Sequence, residues 1–107
     1  MQEDKLYEYA VIRLVPKVER EEFFNIGLLM FSKKENYLRI AFHVCPHKFR
    51  LMYHTLKYHE IQEHLERFRN IATGASDGGP IAQLGVAERF RWLTAVRSAV
   101  LQTSRPH

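Results

Sequence analysis

Residues Tyr7 to Phe31 read YEYAVIRLVPKVEREEFFNIGLLMF, and this stretch decides the fold because a charged elbow joins two apolar runs. The first run carries β-branched and aromatic residues at both alternating sets of positions, which is typical of a strand covered on both sides. Proline lacks the backbone donor that a central ladder needs, so Pro16 ends this strand, at Leu6 to Val15. The elbow is short, so the second run, Phe23 to Phe31, is expected to pair with the first as an antiparallel strand.

A third strand is predicted after the polar turn at residues 32–36. The segment Tyr37 to Val44 alternates cleanly between apolar and polar positions. One side of this strand is predicted to face the core and the other to face solvent. The core side consists of Leu38, Ile40, Phe42 and Val44, and the other side of Tyr37, Arg39, Ala41 and His43.

Helical spacing replaces alternation in the second half of the chain. Apolar residues over 47–71 recur at helical intervals, but the pattern breaks near Tyr58, which predicts two helices with a bend between them. After a glycine-rich loop at 73–80 we expect a short third helix over 86–93 and a last strand over 96–103. The predicted fold is α+β, an antiparallel sheet of about four strands with helices packed on one face, in the order β-β-β-α-α-α-β.

Composition sets the broad class of protein. A chain of 107 residues, with 46% apolar and 26% charged residues, fits one globular domain over residues 1–107. No apolar run approaches the length of a membrane span, the N-terminus lacks a signal pattern, and the single cysteine, Cys45, excludes an internal disulfide. We therefore expect a soluble cytoplasmic protein. The net charge of +4 permits an anionic partner without requiring one.

Polar side chains that interrupt the apolar strands form the first candidate site. If the strands pair as predicted, Arg13 and Asn25 approach the same sheet face, where a guanidinium can bind a carboxylate or a phosphate through two hydrogen bonds. The structural alternative pairs Arg13 with a glutamate of the elbow and ties Asn25 to loop backbone, because buried polar groups need partners. Gly27 is interpreted as a bulge or close-packing glycine. The candidate residues are Arg13, Glu22, Asn25, Arg97 and Ser98.

Metal and common catalytic motifs are not indicated. His43, Cys45 and His47 are spaced by two, but Pro46 breaks the extended geometry that would align them. Three further histidines are spaced by five, which on a helix puts them on different faces. The spacings typical of zinc sites, phosphate-binding loops and common hydrolases do not occur. We expect no metal and no cofactor.

The C-terminal half combines arginines with aromatic residues. Arg89 and Arg91 alternate with Phe90 and Trp92 in the predicted third helix. Such a mixture can stack on nucleic-acid bases and contact phosphates, but it is also the composition of a protein interface, or of a solvated helix whose aromatic residues face inward. These alternatives remain open from the residues alone.

Two segments, taken together, resemble one known family. They are YAVIRLVP followed by REEFFNIG, residues 9–16 and 20–27, and ERFRWLTAVRS, residues 88–98. They resemble the bacterial domain-of-unknown-function family number 3037, whose members carry a charged elbow ending in Glu-Phe-x-Asn-x-Gly and a closing Arg-Phe-x-Trp-Leu-Thr-Ala-x-Arg-Ser. The motif falls on Arg20, Glu22, Phe23, Asn25, Gly27, Arg89, Trp92, Arg97 and Ser98. Glu21 stands where members commonly have glycine, and Val96 where they commonly have proline.

The resemblance to this family implies a protein partner and does not imply a particular activity. Members are often found beside HipA-like kinases, which implies a protein-binding role with such a kinase as partner, and they continue beyond SRPH, which implies a further C-terminal element. Our leading prediction is a non-catalytic protein-interaction module with Arg89, Trp92 and Arg97 at the contact, and with Arg13, Glu22 and Asn25 holding the sheet together. The alternatives are a nucleic-acid or phosphate-ligand site at the sheet mouth and an enzyme of unknown class. A bare sheet face could also be covered by self-association across a two-fold axis.

Overall fold

The structure is a computed structural model that describes residues 7–15, 24–47, 49, 57–95 and 101–107. Its strands are β1 (Glu8–Leu14), β2 (Phe24–Ser32), β3 (Tyr37–Phe42) and β4 (Leu101–Thr103). The helices are α1 (Tyr58–Thr73), a short 3₁₀-helix (Ile81–Gln83) and α2 (Val86–Leu93). All strand pairs are antiparallel and the sheet order is β3-β2-β1-β4, which confirms the predicted α+β class.

One side of the sheet, called the core face, is covered by the helices. Ala10 and Ile12 of β1 and Leu29 of β2 are fully buried there. Antiparallel partners point to the same side of a sheet, so the pairing of Leu29 with Ile40 and of Phe31 with Leu38 places the predicted apolar side of β3 on this face. Burial of one such aliphatic side chain contributes roughly 1.5–3 kcal/mol, which makes the core face the main source of stability.

A β-bulge in β2 separates the two residues that interrupt its apolar run. Ile12 pairs with Gly27 and the next residue of β1, Arg13, pairs with Asn25, so Ile26 is the extra residue. The bulge therefore moves Asn25 to the opposite side of the sheet from Gly27, although both occupy the same alternating set in the sequence. A Cβ at Gly27 would lie 2.6 Å from the Ala41 carbonyl oxygen. This position thus needs glycine because β3 approaches it closely.

Strand β4 closes the sheet against β1. Leu14 pairs with Leu101 and Ile12 with Thr103, and the ladder continues through a hydrogen bond from the Ser104 N–H to the Val11 carbonyl oxygen, 2.9 Å. The Ser104 hydroxyl accepts a second bond, from the Val11 N–H, also at 2.9 Å. This pairing makes β1 an interior strand of the sheet.

The start of α1 is fixed to the end of β3. Lys57 has extended backbone angles and α1 begins at Tyr58, where the sequence predicted a bend. The Tyr58 hydroxyl donates to the Val44 carbonyl oxygen at 2.9 Å and accepts from the Gln62 side chain. The predicted helix before the bend falls mainly on residues 48 and 50–56, outside the described residues.

Helix α2 packs its apolar side onto the core face of the sheet. Phe90 stacks on Phe31 of β2, with ring centroids 4.6 Å apart and an angle of 16° between the rings. Its bounds, Val86–Leu93, are those predicted from the spacing of apolar residues. Leu93 is buried one turn later, so the helix lies over the core face.

The predicted cover on both sides of β1 is wrong for this chain. Ala10, Ile12 and Leu14 are buried, but Tyr9, in the other alternating set, is 46% exposed. The helices of the described residues pack on the core face only, and the opposite side of the sheet carries solvent-exposed apolar residues.

Candidate functional site

The side of the sheet away from the helices, called the outer face, consists of cross-strand rows. The register places Tyr9, Met30 and Arg39 in one row, and His107 extends it because its N–H and carbonyl group both bond to Tyr9. The remaining rows are Tyr7–Ser32–Tyr37, Val11–Leu28–Ala41 and Gln102–Arg13–Asn25. The pairing of Tyr7 with Ser32 extends the β1–β2 register by one residue beyond the pair Glu8 and Phe31.

Aromatic and cationic groups share one end of the outer face. The Tyr7 and Tyr37 rings meet edge to face, with centroids 5.9 Å apart and an angle of 81°. Ser32 lies between them in the row and is buried, and its hydroxyl accepts a hydrogen bond from the Glu35 N–H at 3.1 Å. The Arg39 Cζ atom lies 5.2 Å from the Tyr37 ring centroid, a cation–π contact.

The middle of the outer face is aliphatic and its other end is polar. Leu28 is 38% exposed in the row that it shares with Val11 and Ala41. In the last row Arg13 stands between Gln102 and Asn25. The predicted approach of Arg13 and Asn25 on one side of the sheet is therefore confirmed. The face offers ring surfaces at one end and hydrogen-bonding groups at the other.

Arg89 is enclosed within the protein and serves the end of α1. Its side chain is 9% exposed, and its Nη1 donates to the carbonyl oxygens of Ile71 at 3.2 Å and Ala72 at 3.5 Å. A cation there balances the negative end of the helix dipole. Gly74 ends α1 with a φ of 69°, and a Cβ at this position would collide with Arg89 Nη1. The structure thus gives Arg89 a role in helix termination and removes it from the accessible surface on which we expected the contact.

Trp92 is the exposed aromatic residue of the segment that carries the second family motif. Its side chain is 39% exposed, whereas Phe90 and Leu93 of the same helix are buried. The Thr94 hydroxyl donates to the Phe90 carbonyl oxygen at 2.9 Å and so caps the helix end. Arg91, the neighbour of Trp92 in the helix, is also exposed.

Several candidate residues lie outside the described residues. They are Glu22, Arg97 and Ser98, so their predicted roles stay predictions. Among the described residues, no group of three or more His, Cys, Asp or Glu side chains could hold a metal ion. No helix in the described ranges combines the length and apolar character needed to cross a membrane.

Sequence reasoning missed the aromatic end of the outer face. Tyr7 and Tyr9 were interpreted as one side of a doubly covered strand, and Tyr37 and Arg39 only as the polar side of β3. A signal was present, because Tyr7, Tyr9, Val11 and Arg13 form one alternating set that contains the tyrosines and the arginine of the strand. The other set, Glu8, Ala10, Ile12 and Leu14, is aliphatic after its first residue.

Together, the one-sided helix layer and the exposed sheet define a small two-layer α+β module in which the outer face and the region around Trp92 are accessible. The model of the family described as "Protein of unknown function (DUF3037)" matches residues 9–107. The chain therefore belongs to this family, as its motifs indicated. No curated protein and no solved structure is significantly similar to the chain.

Proposed function

We propose that this protein is a non-catalytic protein-interaction module whose contact is centred on Trp92. The observation that supports the proposal is the exposure of this indole, 39%, on a helix whose other aromatic residue, Phe90, is buried. Tryptophan and arginine are the residues that most often dominate binding energy at protein interfaces. Arg91 is exposed beside Trp92 and supplies the second of these residue types.

The partner we propose is a HipA-like kinase, which rests on the family resemblance. Arg97, which the sequence placed at the same contact, follows Trp92 by five positions in the chain and belongs to the proposed surface. Arg89 does not, because its guanidinium is bonded to carbonyl groups at the end of α1.

A pull-down with a purified HipA-like kinase from the same organism tests this function. Trp92→Ala should lower the affinity by about 30-fold or more, as expected for truncation of a central interface residue. Trp92→Phe should retain part of the affinity because it keeps an aromatic ring. His59→Ala, on an exposed position of α1, is the control and should bind like the unmodified protein.

A second variant tests the same contact in case Trp92→Ala does not fold. Arg91→Glu reverses an exposed charge beside the indole without touching a buried side chain, and it should also weaken capture of the kinase. Thermal unfolding of each variant shows whether the fold is retained. Unchanged capture by folded Trp92→Ala and Arg91→Glu variants would remove Trp92 from the contact.

A further inference from the structure

We propose that the outer face binds single-stranded nucleic acid, with its tyrosine rings stacking on bases and Arg39 contacting phosphate. The helix that carries Trp92 packs on the core face, so the outer face lies on the other side of the sheet. The proposal is therefore independent of the proposed function.

The charges of the outer face favour an anionic ligand. Its rows contain the exposed Arg39, and none of their described residues is an aspartate or a glutamate. The turn beside the aromatic end adds exposed Lys33 and Lys34, with Glu35 as the acidic residue of that turn. An exposed guanidinium near neutral aromatic rings attracts phosphate, and the attraction weakens with salt.

The rings are arranged as a stacking surface. Tyr7 and Tyr9 are 45% and 46% exposed and lie two residues apart on the same side of β1. Two residues of a strand advance about 6.8 Å, so each ring can take a separate base. Tyr37 stands across the sheet from Tyr7, and Arg39 lies over its ring. Exposed aromatic rings on a four-stranded sheet with helices behind it are one of the general ways in which proteins hold single strands.

A second copy of the chain fits this face less well. Packing two outer faces together would bury the exposed Arg39 guanidinium group of each copy against rows whose described residues include no carboxylate. Moving such a charge out of water costs several kcal/mol. An acidic peptide would match the charges, but its carboxylates have no π face for the tyrosine rings, whereas every base has one.

Fluorescence anisotropy of the whole chain with labelled oligo(rU) of about 12 nucleotides tests the proposal, since this length suits a single-domain surface. Tyr9→Ala should weaken binding by about 5- to 100-fold, and Tyr7→Ala is a second ring variant with the same expected direction. Tyr9→Phe keeps the ring and should bind like the unmodified chain. Arg39→Gln should weaken binding and reduce the slope of log K against log salt concentration by about 0.7.

The matched control for charge is Arg67→Gln on α1. Arg67 is exposed in the helix layer and contacts His64, so this variant removes the same charge away from the outer face. It should change the affinity by less than about twofold. Equal losses for Arg39→Gln and Arg67→Gln would show general charge attraction and overturn the proposal.

Three further results would also overturn it. The first is no binding of oligo(rU) at low salt, and the second is undiminished binding by folded Tyr7→Ala and Tyr9→Ala variants. The third is that another occupant takes the face. Sedimentation showing a dimer that Leu28→Asp dissociates would assign it to a second copy, and equal competition by a polyglutamate peptide would assign it to an acidic protein segment.

Discussion

The core face and the outer face are built from alternate residues of the same strands, and they differ in what fixes each side chain. Leu29 and Leu28 are neighbours in β2, yet Leu29 is fully buried and Leu28 is 38% exposed. On the core face, shape and packing restrict every position. On the outer face, Tyr7 and Tyr9 are about half exposed, so packing restricts these positions less. Because packing restricts the outer face less, binding to another molecule can determine which residues stand there.

The neighbouring leucines provide the largest expected effect. Leu29→Ala should lower the free energy of unfolding by about 2–5 kcal/mol, because it removes buried methyl groups and leaves a cavity. Leu28→Ala should lower it by roughly 0.5 kcal/mol, as for a surface substitution. Urea unfolding of both variants measures the two values. Similar losses of unfolding free energy for the two variants would mean that the outer face is covered in solution. The two faces would then not differ in burial.

The next largest loss of stability is expected at Arg89, the buried arginine, compared with the exposed Arg39. Arg89→Met keeps most of the side-chain volume but removes the charged donor to the Ile71 and Ala72 carbonyl groups, so stability should fall by about 1.5–3 kcal/mol. Thermal or urea unfolding measures this loss. Arg39→Met on the outer face should be close to neutral. An Arg89→Met variant as stable as the unmodified chain would contradict the helix-terminating role.

The smallest effect concerns the tyrosine pair on the outer face. A double-mutant cycle with Tyr7→Ala and Tyr37→Ala should give a coupling energy of about 0.5–1.5 kcal/mol for the edge-to-face contact. A third residue outside the pair, such as Leu28, should show no coupling with Tyr7 in the same experiment. Additive effects for the two tyrosines would show that their rings do not meet in solution.

Periodicity predicted much of the fold because each element follows one simple rule. The bounds of α2 and the two sides of β3 follow from apolar spacing, and the antiparallel pairing of β1 and β2 follows from a short elbow. The place of β4 beside β1 does not follow in this way. A strand that returns after the helices can join either edge, and its position depends on distant packing.

The candidate site was less predictable because its geometry depends on one extra residue and on burial. Regular alternation places Asn25 with Gly27, and only the bulge at Ile26 brings it beside Arg13. Arginine within a helix of mixed polarity gives no sign that it is enclosed, so the role of Arg89 at the end of α1 required coordinates. Whether tyrosines are covered or open is likewise set by what packs on a sheet, which β1 itself does not encode.

The pairing of β4 with β1 also affects the order in which the parts of the sheet can fold. The Val11 N–H and the Ser104 hydroxyl that it contacts are 93 residues apart in the sequence. Hairpins formed by β1, β2 and β3 need only local chain and can form early, whereas this closing contact joins distant segments and is slow to find. Until it forms, one edge of β1 keeps its hydrogen-bonding groups open to any other extended chain. Synthesis on the ribosome therefore leaves this edge unprotected until residues 101–104 have emerged.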